Sequence, residues 1–381
     1  MTLAPAPAVD VPFLDLPAQS AEIADEVLPQ WRELLLDAAF VGGAPVAAFE
    51  REYAAYIGGA AAPGLQAIGV SNGTDALELA YRAVGVGQGD EVIVPANSFI
   101  ATAAAASRIG AVPVFVDVDD THLLMDPDAV EAAITPRTRA IVPVHLFGQM
   151  APLQHLAPIA ERHGLALVED AAQAQGATGP AGHAGAVGDI AATSFYPGKN
   201  LGAAGDAGAV TTSDAALAET VRSLQAHGST TRYVHDRIGV NARLDAVQAV
   251  VLRAKLRRLD AWNTMRRAAA STYAELLGDA EGLRLPATRP GNLDVWHLYV
   301  VRVAERDRVA AALGRAGIGV GVHYPTPLPF TGAYAPLGHR RGEFPVAEAA
   351  AERILSLPMG PHLTATQQVA VAEALRSAVA G

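Results

Sequence analysis

No cysteine occurs anywhere in the chain, so a disulfide framework, thiol catalysis and thiolate metal sites are all excluded. Basic charge is also scarce: 28 Lys and Arg against 39 Asp and Glu leave a formal net charge of −11. The phosphates of a nucleic acid would be repelled over most of such a surface, so no nucleic-acid partner is expected. A nucleotide ligand is compatible, because it needs only a local cluster of arginines or a helix N-terminus. No uninterrupted apolar run is long enough to span a bilayer, so no membrane partner is expected. The first residues, MTLAPAPAVDVPF, show neither the basic nor the apolar region of an export signal. These absences together fit a cytoplasmic protein. No His-x-His or His-Glu-x-x-His pair occurs either, and no metal is expected.

What the chain has is length and apolar residues: 381 residues, 51% of them hydrophobic, are more than one core usually holds. From about residue 66 to 212, apolar β-type runs alternate with helix-patterned ones. The expected strands are Gln66–Val70, Glu91–Val94, Val112–Asp117, Arg139–Val144, Leu165–Glu169, Ile190–Phe195 and Ala207–Thr212. Several are continuous runs of Val, Ile, Ala or Leu, the pattern of strands covered on both faces, which predicts a largely parallel α/β sheet. Helical spacing marks Ala76–Val84, Phe99–Ile109 and Pro152–His163, with Gly110 and Gly164 where C-caps belong. A stretch from about Leu244 to Leu277, free of Pro and Gly, predicts one long helix linking two domains. Beyond it a smaller α/β domain is expected: strand Val295–Val303, helix Arg306–Ala316, strand Gly319–Tyr324, and helices near Val346–Leu355 and Ala365–Val379. This divides the chain into an arm (1–25) with a proline-rich start on the surface, a large domain (26–260) and a small domain (261–381).

Three segments carry chemistry. Val70-Ser-Asn-Gly-Thr-Asp-Ala-Leu77 follows a strand and opens a helix, with Ser71 or Asn72 as cap and Gly73 permitting close backbone approach. Such a helix N-terminus is a phosphate site or simply an ordinary capped helix. The same residues read Gly69-Val-Ser71-Asn-Gly73, the nucleophile-elbow pattern, so a serine hydrolase using Ser71 is the rival from another reaction class. Leu167-Val-Glu-Asp170-Ala-Ala-Gln173 places an acidic pair at the carboxyl end of a buried strand, where open α/β sheets bind ligands. Asp170 there either caps the next helix or keeps a pyridine nitrogen protonated, and Gln173 can offer its amide to a phenolic oxygen. Ser194-Phe-Tyr196-Pro-Gly198-Lys199-Asn-Leu-Gly202 sets a lysine in a Gly/Pro-rich turn after a strand. Most lysines are solvated, but one held in a cleft loses its proton and forms a Schiff base with a carbonyl. A Walker loop is excluded, because Thr193 and Asn200 stand where Gly and Ser or Thr are required.

The order of these segments, with Phe99 after Val-Pro and an Asn241-Ala-Arg-Leu-Asp segment later, resembles the DegT/DnrJ/EryC1/StrS sugar aminotransferases from about Pro12 to Leu363. The resemblance implies an α/β aspartate-aminotransferase-type fold (fold type I) working as a homodimer with shared active sites and pyridoxal 5′-phosphate as cofactor. Lys199 would carry the cofactor, Asp170 would pair with the ring nitrogen, Gln173 with the phenolic oxygen, and Phe99 would stack on the ring. Gly73, Thr74 and Ser194 would hold the phosphate, joined by Asn241 from the neighbouring subunit. L-glutamate would give its amino group, leaving pyridoxamine phosphate and 2-oxoglutarate, and a nucleotide-linked keto-sugar would receive it.

Phe-Tyr-Pro-Gly-Lys-Asn-Leu-Gly is similar to the segment of enzymes that aminate C3 of dTDP-3-keto-6-deoxyhexoses, with C4 amination as the alternative. In those relatives Tyr196, His323 and Tyr324 would lie against the hexose, and Arg232 and Arg243 are candidates for the diphosphate. Gln175 stands where many relatives have His, and Ala204 and Ala207 replace Leu and Gly, departures that bear on substrate preference. A non-catalytic cofactor-binding regulator on the same fold is a further alternative. The retained Lys199 argues against the family's dehydratases, which have His there.

Overall fold

Runs rich in Val, Ile and Ala form the strands. In the computed structural model, which describes residues 10–59 and 62–381, the chain forms β1 (Gln66–Val70), β2 (Glu91–Pro95), β3 (Val112–Val116), β4 (Thr138–Ile141) and β5 (Ala166–Asp170). A short hairpin, β6 (Thr178–Gly179) and β7 (Gly182–His183), precedes β8 (Ile190–Ser194) and β9 (Gly208–Thr212). All but the hairpin join one seven-stranded sheet in the order β1-β9-β8-β5-β4-β2-β3. β9 runs antiparallel to both its neighbours and every other pairing is parallel. Successive residues feed opposite faces. Val92 and Val94 pack with helices Gly73–Ala83 and Ile100–Arg108, while Ile93 packs with helix Leu153–His163. Covered on both faces, these strands need apolar residues at every position, which is why they read as runs.

The topology places the chemistry. β1, β5 and β8 point the same way, so their carboxyl ends share one edge of the sheet. The three motifs of the sequence therefore converge there.

A second sheet, β10 (Leu283–Arg284), β11 (Tyr299–Val303) and β12 (Ile354–Leu357), is antiparallel. Helices Leu259–Leu277, Arg306–Arg315 and Ala365–Ala380 cover it, burying Tyr273, Leu313 and Leu375 against Tyr299, Val301 and Leu357. Val11 of the arm joins this cluster beside Ile318. The proline-rich start falls on residues 1–9, outside the described residues. Among the described residues no helix is long and apolar enough to cross a membrane.

Three expectations need correction. The single helix over 244–277 is two, Ala246–Leu256 and Leu259–Leu277. No Pro or Gly breaks it; Arg257 and Arg258 both pair with Glu26, and Leu256 and Leu259 bury into one cluster, so tertiary contacts set the turn. Residues 319–324 are not a strand. Gly321 makes one bridge to Ser356, and a Cβ at Gly319 would sit 2.7 Å from the Phe13 nitrogen, so the arm occupies the side where a partner strand would lie. The helix expected to reach Leu355 ends at Arg353, and Ile354–Leu357 is β12, paired with β11.

Candidate active site

The shared edge opens into a cavity of about 830 Å³. Gly73, Thr74, Phe99, Asp170, Gln173, Ser194, Tyr196, Lys199, His323 and Tyr324 all line it. Asn241, Arg232 and Arg243 do not; they lie exposed on the loop before helix Ala246–Leu256.

At the end of β1, Asn72 caps helix Gly73–Ala83, accepting the Asp75 N–H at 2.8 Å. A Cβ on Gly73 would lie 2.5 Å from Ser194 Cβ, so only glycine lets the helix start meet the end of β8. The first-turn amides at Gly73 and Thr74 have no intrahelical acceptor, and the Ser194 hydroxyl stands beside them. This is a site for a phosphate group. Ser71 donates its hydroxyl to Asp75 at 2.6 Å, and His323 is bonded to Ser356 at 2.8 Å. With its hydroxyl turned to a carboxylate on the helix that follows it and, among the described residues, no histidine bonded to it, Ser71 lacks the nucleophile–base contact that a hydrolase needs.

Asp170 is buried at the end of β5. Its carboxylate accepts the Thr102 hydroxyl at 2.7 Å and the Ala172 N–H at 3.2 Å, yet burial still pushes its pKa above the usual range. A cationic ring nitrogen against it would offset that burial. Gln173 accepts the Phe147 N–H at 2.7 Å and donates to the Tyr324 hydroxyl at 3.2 Å, so its amide nitrogen faces the cavity side.

The lysine turn folds back on itself. Lys199 N–H bonds the Tyr196 carbonyl at 2.8 Å, and a Cβ on Gly202 would strike the Pro197 carbonyl oxygen at 2.3 Å. The glycine is therefore required by close approach. Burial lowers the Lys199 pKa to about 8, against the opposing pull of Asp170. Phe99 presents a half-exposed ring to the cavity, 5.5 Å from that of Tyr324. His323 stacks on Phe13 at 5.7 Å, and burial, then the charge of Lys199, hold its pKa down at about 4, so it is neutral.

A phosphate cradle, a buried carboxylate that no salt bridge holds among the described residues, a flat apolar face and a lysine with a depressed pKa together fit pyridoxal phosphate. Sequence reading missed several contributors. Thr102 carries no motif, Phe13 comes from the arm, and His297 reaches the cavity from the segment before β11. Behind Asp170, fully buried Glu169 accepts His145 Nε2–H at 2.7 Å and the amides of Gly185, Val187 and Gly188 at 2.8, 2.8 and 2.7 Å. Burial pushes this carboxylate up, but those donors outweigh it and leave its pKa below the ordinary value.

The loop 229–243 contrasts with this interior. Ile238 is 88% and Tyr233 79% exposed. Asn241 Oδ1 accepts from Arg243 Nε at 3.2 Å, and Arg232 lies over the Tyr233 ring at 4.8 Å.

Comparison with known proteins agrees with this geometry. The profile of the DegT/DnrJ/EryC1/StrS aminotransferase family matches residues 21–376. The erythromycin biosynthesis sensory transduction protein EryC1 of Saccharopolyspora erythraea is 51% identical, over 93% of this chain and 96% of its own length. The dTDP-3-amino-3,4,6-trideoxy-alpha-D-glucose transaminase of Streptomyces venezuelae is 46% identical, over 96% of this chain and 95% of its own. The crystal structure of S. venezuelae DesV in complex with a ketimine intermediate superposes with a TM-score of 0.93 at 46% identity, covering 97% of this chain and 98% of that one. The chain belongs to the DegT/DnrJ/EryC1/StrS aminotransferase family and is a pyridoxal-phosphate-dependent aminotransferase of the α/β, fold type I architecture.

Proposed function

We infer that the enzyme transfers the amino group of L-glutamate to the C3 ketone of a nucleotide-linked deoxyhexose, a dTDP-3-keto-6-deoxyhexose. The carrying observation is that Tyr196, His323 and Tyr324 line the same cavity as Lys199 and Asp170. Their hydroxyl and ring nitrogens can bond sugar hydroxyls, and their aromatic faces can pack on the C–H face of a hexose. The relative from S. venezuelae, named for a 3-amino sugar, supports the same position of amination.

Bound pyridoxal phosphate supplies an electron sink for the pair left when a carbon beside the nitrogen loses its proton. Lys199 would hold the cofactor and would move that proton at its Nζ, a task for which a pKa of about 8 suits it. Asp170, which accepts from Thr102 and the Ala172 amide, would keep the ring nitrogen protonated, and that cation would favour the ionised carboxylate. Gly73, Thr74 and Ser194 would bind the phosphate, Phe99 would pack on the ring, and Gln173 would address the phenolic oxygen. Two half-reactions sharing one site predict ping-pong kinetics.

The active unit in this reading is a homodimer. Support comes from the exposed apolar residues Leu35, Leu36, Tyr233 and Ile238, and from Asn241, Arg232 and Arg243 standing outside their own cavity. Asn241 would reach the partner's phosphate site and the two arginines the sugar's diphosphate. The division into 1–25, 26–260 and 261–381 belongs to this reading too; the break at Arg257–Arg258 and the separate apolar cluster around β11 support it. A nucleotide-linked substrate and a cysteine-free chain support a cytoplasmic location.

The test is a paired assay with glutamate and either dTDP-3-keto-6-deoxyglucose or dTDP-4-keto-6-deoxyglucose, with products identified by NMR. Preference for the 3-keto sugar is expected. Preference for the 4-keto sugar overturns the regiochemistry and leaves the reaction class standing.

A further inference from the structure

Behind the lysine turn the side chains of His297, Asn200 and Asn263 form a hydrogen-bonded chain that ends on the main-chain carbonyl of Gln175. Asn200, buried next to Lys199, donates its amide nitrogen to Asn263 Oδ1 at 2.9 Å and to the Val295 carbonyl at 2.8 Å. Both amide hydrogens are thereby committed, so Asn200 Oδ1 is an acceptor, and facing it at 3.1 Å is His297 Nδ1. His297 must carry its proton on Nδ1. Burial, with Lys199, Arg266 and His323 as the charged and titratable groups around it, holds the ring well below the usual imidazole pKa, so it is neutral. On the other side Asn263 donates to the Gln175 main-chain carbonyl at 3.0 Å, and the Gln175 side-chain amide separately donates to the Ser194 carbonyl at 2.9 Å and Thr193 Oγ1 at 3.0 Å. The chain runs from the cavity wall at His297, past the residue after Lys199, to the Gln175 carbonyl.

Two further features hold His297 where it is, and each costs stability. Trp296 sits at φ 46, a left-handed conformation that bulky residues rarely adopt. Arg266 is buried from helix Leu259–Leu277 and donates to the carbonyls of Trp296, His297 and Met359 at 3.1, 3.4 and 3.3 Å. A buried guanidinium held by carbonyls alone carries a large desolvation penalty. Packing alone would be served by an apolar residue at position 266. The arrangement instead specifies the backbone of residue 297, while Asn200 specifies its tautomer.

We propose that His297 is a positioning residue that donates Nδ1–H to Asn200 and so holds the turn carrying Lys199 in its working place. The inference rests on Lys199 being the residue that carries the cofactor. Because the ring lines the cavity, a direct role through Nε2 is the competing arrangement, and the two separate by substitution. In His297→Asn an amide N–H occupies the place of Nδ1–H; in His297→Gln the amide falls where Nε2 was.

Three quantities are measured. They are thermal unfolding of the cofactor-free proteins, the pH midpoint for trinitrophenylation of Lys199 in those proteins by peptide mass spectrometry, and kcat and KM for glutamate in the holoenzymes. His297→Asn is expected to keep the wild-type midpoint and kcat. His297→Gln is expected to raise the midpoint, as water reaches the loosened lysine, and to lower kcat by about tenfold to a hundredfold with KM nearly unchanged. The reverse ranking assigns the work to Nε2 and overturns the proposal. So do equal effects of both variants, or a fall in melting temperature with no change in the midpoint. Borohydride reduction of wild-type holoenzyme tests the underlying reading separately. If the cofactor is not on Lys199 that reading fails, while the amine midpoints still decide what His297 does.

Discussion

The cavity wall and the loop 229–243, which the proposed function makes two halves of one site, are built in opposite ways. In the wall, Asp170 is buried and doubly hydrogen-bonded, Gln173 is fixed at both ends of its amide, and Asn200 has three partners. In the loop, Asn241 and Arg243 are exposed; their main chains bridge Ala226 and Val70, and their side chains bond each other. Burial in the wall moves pKa values, raising that of Asp170 and lowering that of Lys199. The loop's arginines, by contrast, lie in solvent. In the proposed reading, the chemistry is preorganised within one chain and the anionic ends of the ligands are left to a second subunit.

The sharpest way to break this contrast is Lys199→Ala. Turnover should fall by more than about ten-thousandfold, because attachment and proton transfer are both lost. The variant should still bind pyridoxal phosphate by its phosphate cradle, without the absorbance band of the lysine linkage. Full activity would remove Lys199 from the chemistry. Asp170→Asn keeps the shape and removes the charge; kcat should fall about a hundredfold to a thousandfold. In the cofactor-free protein the same change should lower the pH midpoint for acylating Lys199, since the Asp170 carboxylate raises that lysine's pKa. An unchanged midpoint would mean that the two groups are not coupled.

The loop half is tested by mixing. Lys199→Ala and Asn241→Ala subunits, each weak alone, should recover about a quarter of wild-type activity after random exchange, since half the dimers then hold one intact site of two. No gain over either parent, with dimers verified by light scattering, would confine Asn241 to its own chain. Thr102→Val is the mildest change. Losing one hydrogen bond to a carboxylate should raise the Asp170 pKa further and lower kcat roughly tenfold, about 1.5 kcal/mol, with the fall steepest at acid pH. A pH-independent effect would leave Thr102 a packing role only.

All seven strands of the large sheet were legible, because strands covered on both faces must be apolar throughout and leave runs in the sequence. The glycines at 73 and 202 were legible as punctuation, although their reason, contact with Ser194 and with Pro197, was not. The break at Arg257–Arg258 left no local mark. Both residues keep right-handed helical dihedrals, and only ion pairs with Glu26 and the burial of Leu256 and Leu259 turn the chain. Gly319–Tyr324 looked like a strand by composition and lacks a second strand to pair with.

What the sequence determined by itself is the set of local devices: a capped helix after β1, an acidic pair ending β5, a lysine in a tight turn after β8, and the order that marks the family. Each rests on dihedral preference and on hydrogen bonds spanning a few residues, so each is written in adjacent letters. The tertiary structure alone decided that Thr102 meets Asp170 across 68 positions, that His145 meets Glu169 across 24, and that Asn200 meets His297 across 97. No short-range pattern encodes such pairs. They exist because parallel strands bring distant carboxyl ends to one edge, and burial there leaves each polar group to find its partner in whatever chain the fold has placed beside it.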